Sequence, residues 1–265
     1  MKKNILILFS FAVILLACKK DYSHSVAVYK SDLSNSAFLK VIDATLNSSK
    51  TYVYQDAVQI PLSGTAMSIA FASGTGSFPA NTTYASVPAG SRVIIVKDTS
   101  ATTKQKIISV AQNLSAGSYY TLFMYDTTTN ATPLFVKDSI QTTNDLSTAR
   151  IRFVNLVYAS TSNVDIYSSH AAANMFTNIS VGQASGFISI PANVTDTFYV
   201  RATGTTTNLA SYPPPAGIGG NGAPLTPTAG RSYTLVFEGK YDVAPNKTAL
   251  GPTNPTRSLV LYTNR

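Results

Sequence analysis

Ala149-Arg150-Ile151-Arg152-Phe153-Val154-Asn155 decides the fold, because the same pattern stands far upstream as Ala37-Phe38-Leu39-Lys40-Val41-Ile42-Asp43. In each copy apolar and cationic residues alternate, at Leu39-Lys40-Val41 and at Ile151-Arg152-Phe153. A period of two is that of a β-strand, and the pattern predicts one packed face and one wet face. Three more blocks recur in the same order. Thr51-Tyr52-Val53-Tyr54 matches Val164-Asp165-Ile166-Tyr167, and Tyr84-Ala85-Ser86-Val87-Pro88-Ala89-Gly90 matches Phe187-Ile188-Ser189-Ile190-Pro191-Ala192-Asn193. Ala116-Gly117-Ser118-Tyr119-Tyr120-Thr121-Leu122 matches Ala229-Gly230-Arg231-Ser232-Tyr233-Thr234-Leu235. Four ordered matches at nearly constant offset predict a tandem duplication.

Each block carries a physical signal. Pro88-Ala89-Gly90 and Pro191-Ala192-Asn193 are turns whose last residue tolerates positive φ. Strands are expected after them, at Arg92 to Val96 and Thr197 to Arg201, and again at Tyr119 to Tyr125 and Tyr233 to Glu238. Pro133 to Lys137 and Ser258 to Tyr262 close each unit. No segment has the spacing of an amphipathic helix; Ala-rich His170 to Phe176 could form one turn between strands. Short strands joined by turns predict an all-β chain of two tandem antiparallel β-sandwich domains, Ig-like or transthyretin-like. The expected boundaries are residues 37–140 and 149–265, with the polar stretch 141–148 as linker. Composition agrees. Charged residues make up 12%, about half the usual share, there are 15 Tyr and no Trp, and Ser, Thr and Asn supply the polarity.

The N-terminus reads as an address. Lys2 and Lys3 precede an apolar run from Ile5 to Ala17 broken only by Ser10. That run falls short of the about 20 residues a membrane span needs and has the layout of a secretory signal. Leu15-Leu16-Ala17-Cys18 resembles the lipobox of bacterial lipoproteins, which implies cleavage after residue 17 and lipidation of the Cys18 thiol. Cys18 is the single cysteine, so intrachain disulfides are excluded. Residues 18–36 are then a lipidated tether, and acyl chains worth about 0.8 kcal/mol per buried methylene hold the chain to a membrane. Lys19 lacks the character of the aspartate that retains lipoproteins in the inner membrane. The expected location is the outer membrane of a Gram-negative bacterium, on its surface or its periplasmic face.

The four blocks of the second unit resemble the DUF4397 family, whose domains carry an R-F-V start, a V-D-V-Y strand, a V-P-A-G turn and an A-G-x-x-Y-T strand. The second unit matches better than the first, which lacks the leading Arg and the strand aspartate. Asn155-Leu156-Val157-Tyr158 replaces the family's small-Pro loop. The resemblance covers about residues 37–262 and implies extracytoplasmic, often lipid-anchored sandwich domains. It implies no reaction.

Candidate sites are few. Asp165 could ligate a cation or bond backbone groups at a strand edge. The other aspartates show no D-x-D-x-D-G spacing. The 2 histidines, His24 and His170, have no Cys or His at ligand spacing, so no zinc site and no cofactor is expected. Ser168-Ser169-His170 lacks the G-x-S-x-G elbow of hydrolases. Glu238 is the only glutamate, and nothing marks it as half of a glycosidase pair. An enzyme would require Asp165, His170, Asp196 and Glu238 to converge. The stretch Ser211 to Pro224 is absent from the first unit, and Tyr212, Pro213, Pro214 and Asn221 mark it as a candidate ligand-binding loop, or simply a mobile one. Asp138-Ser139-Ile140 fits a short O-glycosylation pattern or an unmodified loop.

The formal charge of +8 is spread thinly, with no basic run beyond two residues, so a nucleic-acid partner is not expected. The sequence points to a non-enzymatic, membrane-anchored binding or adhesion module for a glycan, a peptide or another envelope protein. The alternative is a structural spacer or assembly subunit of the envelope.

Overall fold

Tyr119-Tyr120-Thr121-Leu122-Phe123-Met124-Tyr125 carries large side chains on both of its faces, so a strand built from it must be covered on both sides. The computed structural model places it in the middle of a sheet, with residues 120–124 all buried. It describes residues 33–48, 50–56, 62, 76–79, 83–99, 106–140, 145–214, 223–243 and 256–264. Cys18, most of the expected tether, and Asn221 lie outside the described residues.

The chain is all-β. The first half contains β1 (Ser36–Asp43), β2 (Thr51–Gln55), β3 (Ser77–Phe78), β4 (Ala85–Pro88), β5 (Gly90–Asp98), β6 (Ile108–Leu114), β7 (Tyr119–Tyr125) and β8 (Thr132–Asp138). The second half contains β9 (Thr148–Asn155), β10 (Val164–Ser168), β11 (Ala173–Ile179), β12 (Gln183–Ala184), β13 (Ile188–Pro191), β14 (Phe198–Ala202), β15 (Asn208–Tyr212), β16 (Ser232–Glu238) and β17 (Ser258–Thr263). The described residues contain one short 3-10 turn, Thr128–Asn130. Sheet I has the order β3-β1-β7-β8 with β4 also on β1, and sheet II is β2-β5-β6. Sheet III repeats sheet I as β12-β9-β16-β17 with β13 on β9, and sheet IV is β11-β10-β14-β15.

Residues 34–265 form one compact unit. Alternation along the strands sets its layers. Leu39, Val41, Leu122 and Met124 of sheet I meet Val53, Ile94 and Val96 of sheet II. Ile151, Phe153, Leu235 and Phe237 of sheet III meet Ile166, Phe198 and Val200 of sheet IV. The remaining faces of sheets I and III meet each other through Ile42, Phe123, Val154, Val236, Val260 and Tyr262. The order is therefore II–I–III–IV, three interfaces in which each buried Val, Leu, Ile or Phe contributes about 1.5–3 kcal/mol.

The repeat extends to individual hydrogen bonds. Gly117 N–H donates to Ser36 O and Gly230 N–H to Thr148 O, each at 2.8 Å. Ser115 N–H donates to the Tyr120 hydroxyl, and Thr228 N–H to the Tyr233 hydroxyl, each at 2.9 Å. Gly90 and Asn193 both take the positive φ that their turns require.

Three expectations are corrected. The pairings are not antiparallel throughout, because β1 runs parallel to β7 and β9 parallel to β16. A parallel pair needs a long connection, and the strands of the partner sheet supply it. The second face of β1 and β9 is not wet: Lys40 and Arg152 are each 1% exposed. A cation reads as a water-facing residue until another sheet covers that face. Finally, the turn expected over His170 to Phe176 is confined to residues 169–172, and residues 173–176 begin β11 on the edge of sheet IV.

Candidate functional site

Two of the carboxylates an enzyme would need, Asp165 and Asp196, are occupied with holding local backbone and side-chain donors. Asp165 lies in the middle of sheet IV and is 3% exposed. Its oxygens accept from Asn174 Nδ2, Asn178 N–H, Thr203 Oγ1 and Gly204 N–H. Asn178 and Gly204 both have positive φ. The carboxylate thus ties the β10–β11 irregularity to the turn after β14. Asp196 accepts from the hydroxyls of Ser168 and Ser169 and from the backbone N–H groups of His170 and Thr197. His170 enters that cluster through its backbone, and its residue is exposed. Glu238 stands apart, buried where sheets I and III meet; burial, followed by nearby Asp43, pushes its carboxyl up to about 8. Asp165, His170, Asp196 and Glu238 do not converge on one cleft. Among the described residues no group of three His, Cys, Asp or Glu is placed to hold a metal.

The I–III interface holds a second polar cluster. Arg152 pairs with Asp138 across the sheets and also donates to Thr234 Oγ1 at 2.9 Å and Thr121 Oγ1 at 3.3 Å. Asp138 Oδ2 accepts from the Tyr84 hydroxyl at 2.7 Å, and Tyr84 in turn accepts from Asn264 Nδ2 at 2.8 Å. The Lys40 ammonium donates to Thr263 O at 3.1 Å. Desolvation lowers Lys40 to about 8, against the pull of Asp138 and with the push of Arg152. Asp138 is therefore committed inside the molecule, while Ser139 after it is exposed.

The candidate loop begins at the end of β15. Tyr212 is half-buried, packs against the III–IV core, and has its hydroxyl pKa raised by burial and then by Tyr233. Pro213 and Pro214 are half-buried, and Pro213 O accepts from Ser211 Oγ at 2.9 Å.

The outer faces of sheets II and IV were not singled out by sequence reading, yet they carry the aromatic surface. Ile166, Phe198 and Val200 enter the core, so Tyr167, Tyr199 and Arg201 must point the other way. Tyr167 and Tyr199 are directly opposite in register, their ring centroids 6.4 Å apart and inclined by 46°. The Arg201 guanidinium lies 3.8 Å from the Tyr167 ring centroid, and its Nε donates to Asn208 Oδ1 at 2.9 Å. In sheet II Val53 and Val96 enter the core shared with sheet I, while Tyr54, on the other face, is also buried, with the Lys97 ammonium 4.5 Å from its ring centroid. The signal was present in the sequence. In Ile166-Tyr167 and Phe198-Tyr199 two large apolar neighbours alternate, and on a sheet covered on one face only one of each pair is core.

Solved structures of low similarity include two carbohydrate-binding modules and a streptococcal virulence factor. A family 41 module from streptococcal virulence factors, described for alpha-glucan recognition, is 12% identical with a TM-score of 0.25, over 86% of this chain and 98% of that one. A second streptococcal alpha-glucan-binding structure is 13% identical with a TM-score of 0.23, over 83% and 97%. A family 26 module of Eubacterium rectale in complex with maltoheptaose is 11% identical with a TM-score of 0.23, over 85% and 96%. No curated protein matches the chain. The family whose model does match, across residues 37–167, is the one described as Domain of unknown function (DUF4397).

Proposed function

We propose that the chain is a lipid-anchored, non-enzymatic protein of a Gram-negative outer membrane that binds a glycan on an open sheet face. Cys18 carries the lipid, residues 18–36 are the tether, and residues 37–140 and 149–265 are tandem sandwich domains. The observation that carries the binding reading is the Tyr167–Tyr199 pair, two half-buried rings side by side on the outer face of sheet IV. A tyrosine ring fixed on a rigid sheet offers a flat apolar face for a sugar ring at little entropic cost, and a hydroxyl for its rim. The loop at Tyr212, Pro213 and Pro214 leaves from β15, the edge strand of that same sheet, and is proposed to border the site. The carboxylates Asp165 and Asp196 support the non-enzymatic reading, because each is enclosed by four donors of its own lobe.

The test has two arms. The full chain in detergent is applied to a glycan array, and Tyr199→Ala is expected to weaken the signals obtained at least tenfold while leaving the melting temperature in place. An array without signal, or with signals indifferent to Tyr199→Ala, rejects this site. Mass spectrometry of the mature N-terminus is expected to find Cys18 acylated, and Cys18→Ser to release the protein from membranes.

A further inference from the structure

We infer that the sheet IV face takes an acidic glycan, with Arg201 binding a sugar carboxylate while Tyr199 stacks on the ring. The inference rests on the glycan reading above and names the ligand class. Among the described residues Arg201 is a cation without an ion-pair partner. It lies opposite Asp165 in register, yet all of the Asp165 hydrogen bonds go to Asn174, Asn178, Thr203 and Gly204. The three ion pairs among the described residues are Arg92–Asp56, Arg152–Asp138 and Lys240–Asp242, and none includes Arg201.

The side chain is nonetheless held. Its guanidinium carbon lies 3.8 Å from the Tyr167 ring centroid, and Asn208 Oδ1 accepts from Nε at 2.9 Å. Among the described residues its Nη1 and Nη2 groups donate to nothing. What remains is a preorganised fork of N–H donors beside an aromatic ring. That is the geometry in which guanidinium accepts a carboxylate by two parallel hydrogen bonds, and the ring beneath it stiffens the fork further. A neutral sugar would leave the fork without its complement; a uronic acid fills both elements at once. Of the chain's formal charge of +8, Lys2 and Lys3 leave with the proposed signal, and the remaining excess of Lys and Arg favours approach of a polyanion. The repeat supplies an independent indication. At the equivalent place in the first half, Lys97 lies over Tyr54, so a cation over a tyrosine recurs in both halves, although Tyr54 is buried and the half-buried Tyr167 and Tyr199 of sheet IV are the accessible rings.

The experiment is affinity electrophoresis of the full chain in detergent through gels containing polygalacturonate, its fully methyl-esterified form, or a neutral glucan. Retardation by polygalacturonate that is lost on esterification is expected. Arg201→Gln should weaken it at least tenfold, and Arg201→Lys nearly as much, because ammonium cannot form the fork. Arg231→Gln removes one exposed charge elsewhere and should leave the retardation unchanged. Equal losses in Arg201→Gln and Arg231→Gln would reduce the effect to net charge and overturn the inference. Binding to the neutral glucan that depends on Tyr199 and ignores Arg201 would also overturn it, while leaving the proposed function standing. No binding to any glycan by the folded chain removes both.

Discussion

Arg152 shows how a single residue joins two sheets. Its side chain is 1% exposed and that of Asp138 is 0% exposed, so neither charge has water to fall back on. Such a pair contributes little net stability over apolar residues of the same shape, yet removing one partner leaves a bare charge in the interior. Asp138→Asn is therefore expected to cost about 3–5 kcal/mol, read as a shift in the urea midpoint without a change in slope. Asp165 is a different case, because its partners include two backbone N–H groups and the neutral side chains of Asn174 and Thr203. Asp165→Ala leaves buried donors unsatisfied at about 1–3 kcal/mol each. The loss should be local first: hydrogen exchange at Asn178 and Gly204 is expected to quicken before the core strands respond.

At the scale of the element, turns decide which strands can meet. Gly182, between β11 and β12, has φ +74, and a Cβ there would lie 2.4 Å from the Tyr125 hydroxyl at the end of β7. Gly239, just after β16, has φ +90, and its Cβ would lie 2.2 Å from Thr256 O. The first obstacle is the tip of a side chain, the second is backbone that nothing can move aside. Gly239→Ala should therefore destabilise more than Gly182→Ala in thermal melts, and Tyr125→Ala should rescue part of the Gly182→Ala loss but none of the other. The strands themselves were legible. Tyr119 to Tyr125 was read at its bounds, and the Pro88-Ala89-Gly90 and Pro191-Ala192-Asn193 turns with their positive φ were read correctly. Pairing direction was not legible, because alternation reports which face a residue takes and says nothing of its neighbour's polarity. The outer tyrosines escaped notice for a related reason: a tyrosine beside an isoleucine looks like core until the sheet fixes which of the two turns inward.

The whole molecule is organised by the contact between sheets I and III, and there the duplication acts as an internal pseudo-twofold. Lys40 on β1 corresponds to Arg152 on β9, Thr121 to Thr234, and Asp138 to Asn264, and all of these meet in one buried cluster. The correspondence breaks at one place, since Asn264 carries no charge where Asp138 does. Two cations consequently share one carboxylate, and desolvation holds Lys40 down at about 8. Elsewhere in the same contact, burial, then Asp43, holds Glu238 up at about 8, with Asp43 and Tyr262 raised beside it. The two shifts oppose each other across the pH scale. Folded Glu238 keeps its proton up to about 8 while the unfolded chain releases it near 4.5, so stability falls as pH rises through that window. Folded Lys40 releases its proton near 8 while the unfolded chain keeps it to about 10.5, so stability then recovers. The recovery should end near pH 10, where Tyr84 and Tyr262, both raised in the fold, begin to ionise in the unfolded chain. Urea unfolding from pH 5 to 10 is therefore expected to show a minimum of stability near pH 8. Glu238→Gln should flatten the falling limb and Lys40→Met the rising one. A profile that peaks near pH 8, or one indifferent to both substitutions, would mean that these charges do not sit in a buried contact, and the layering II–I–III–IV would fail with them.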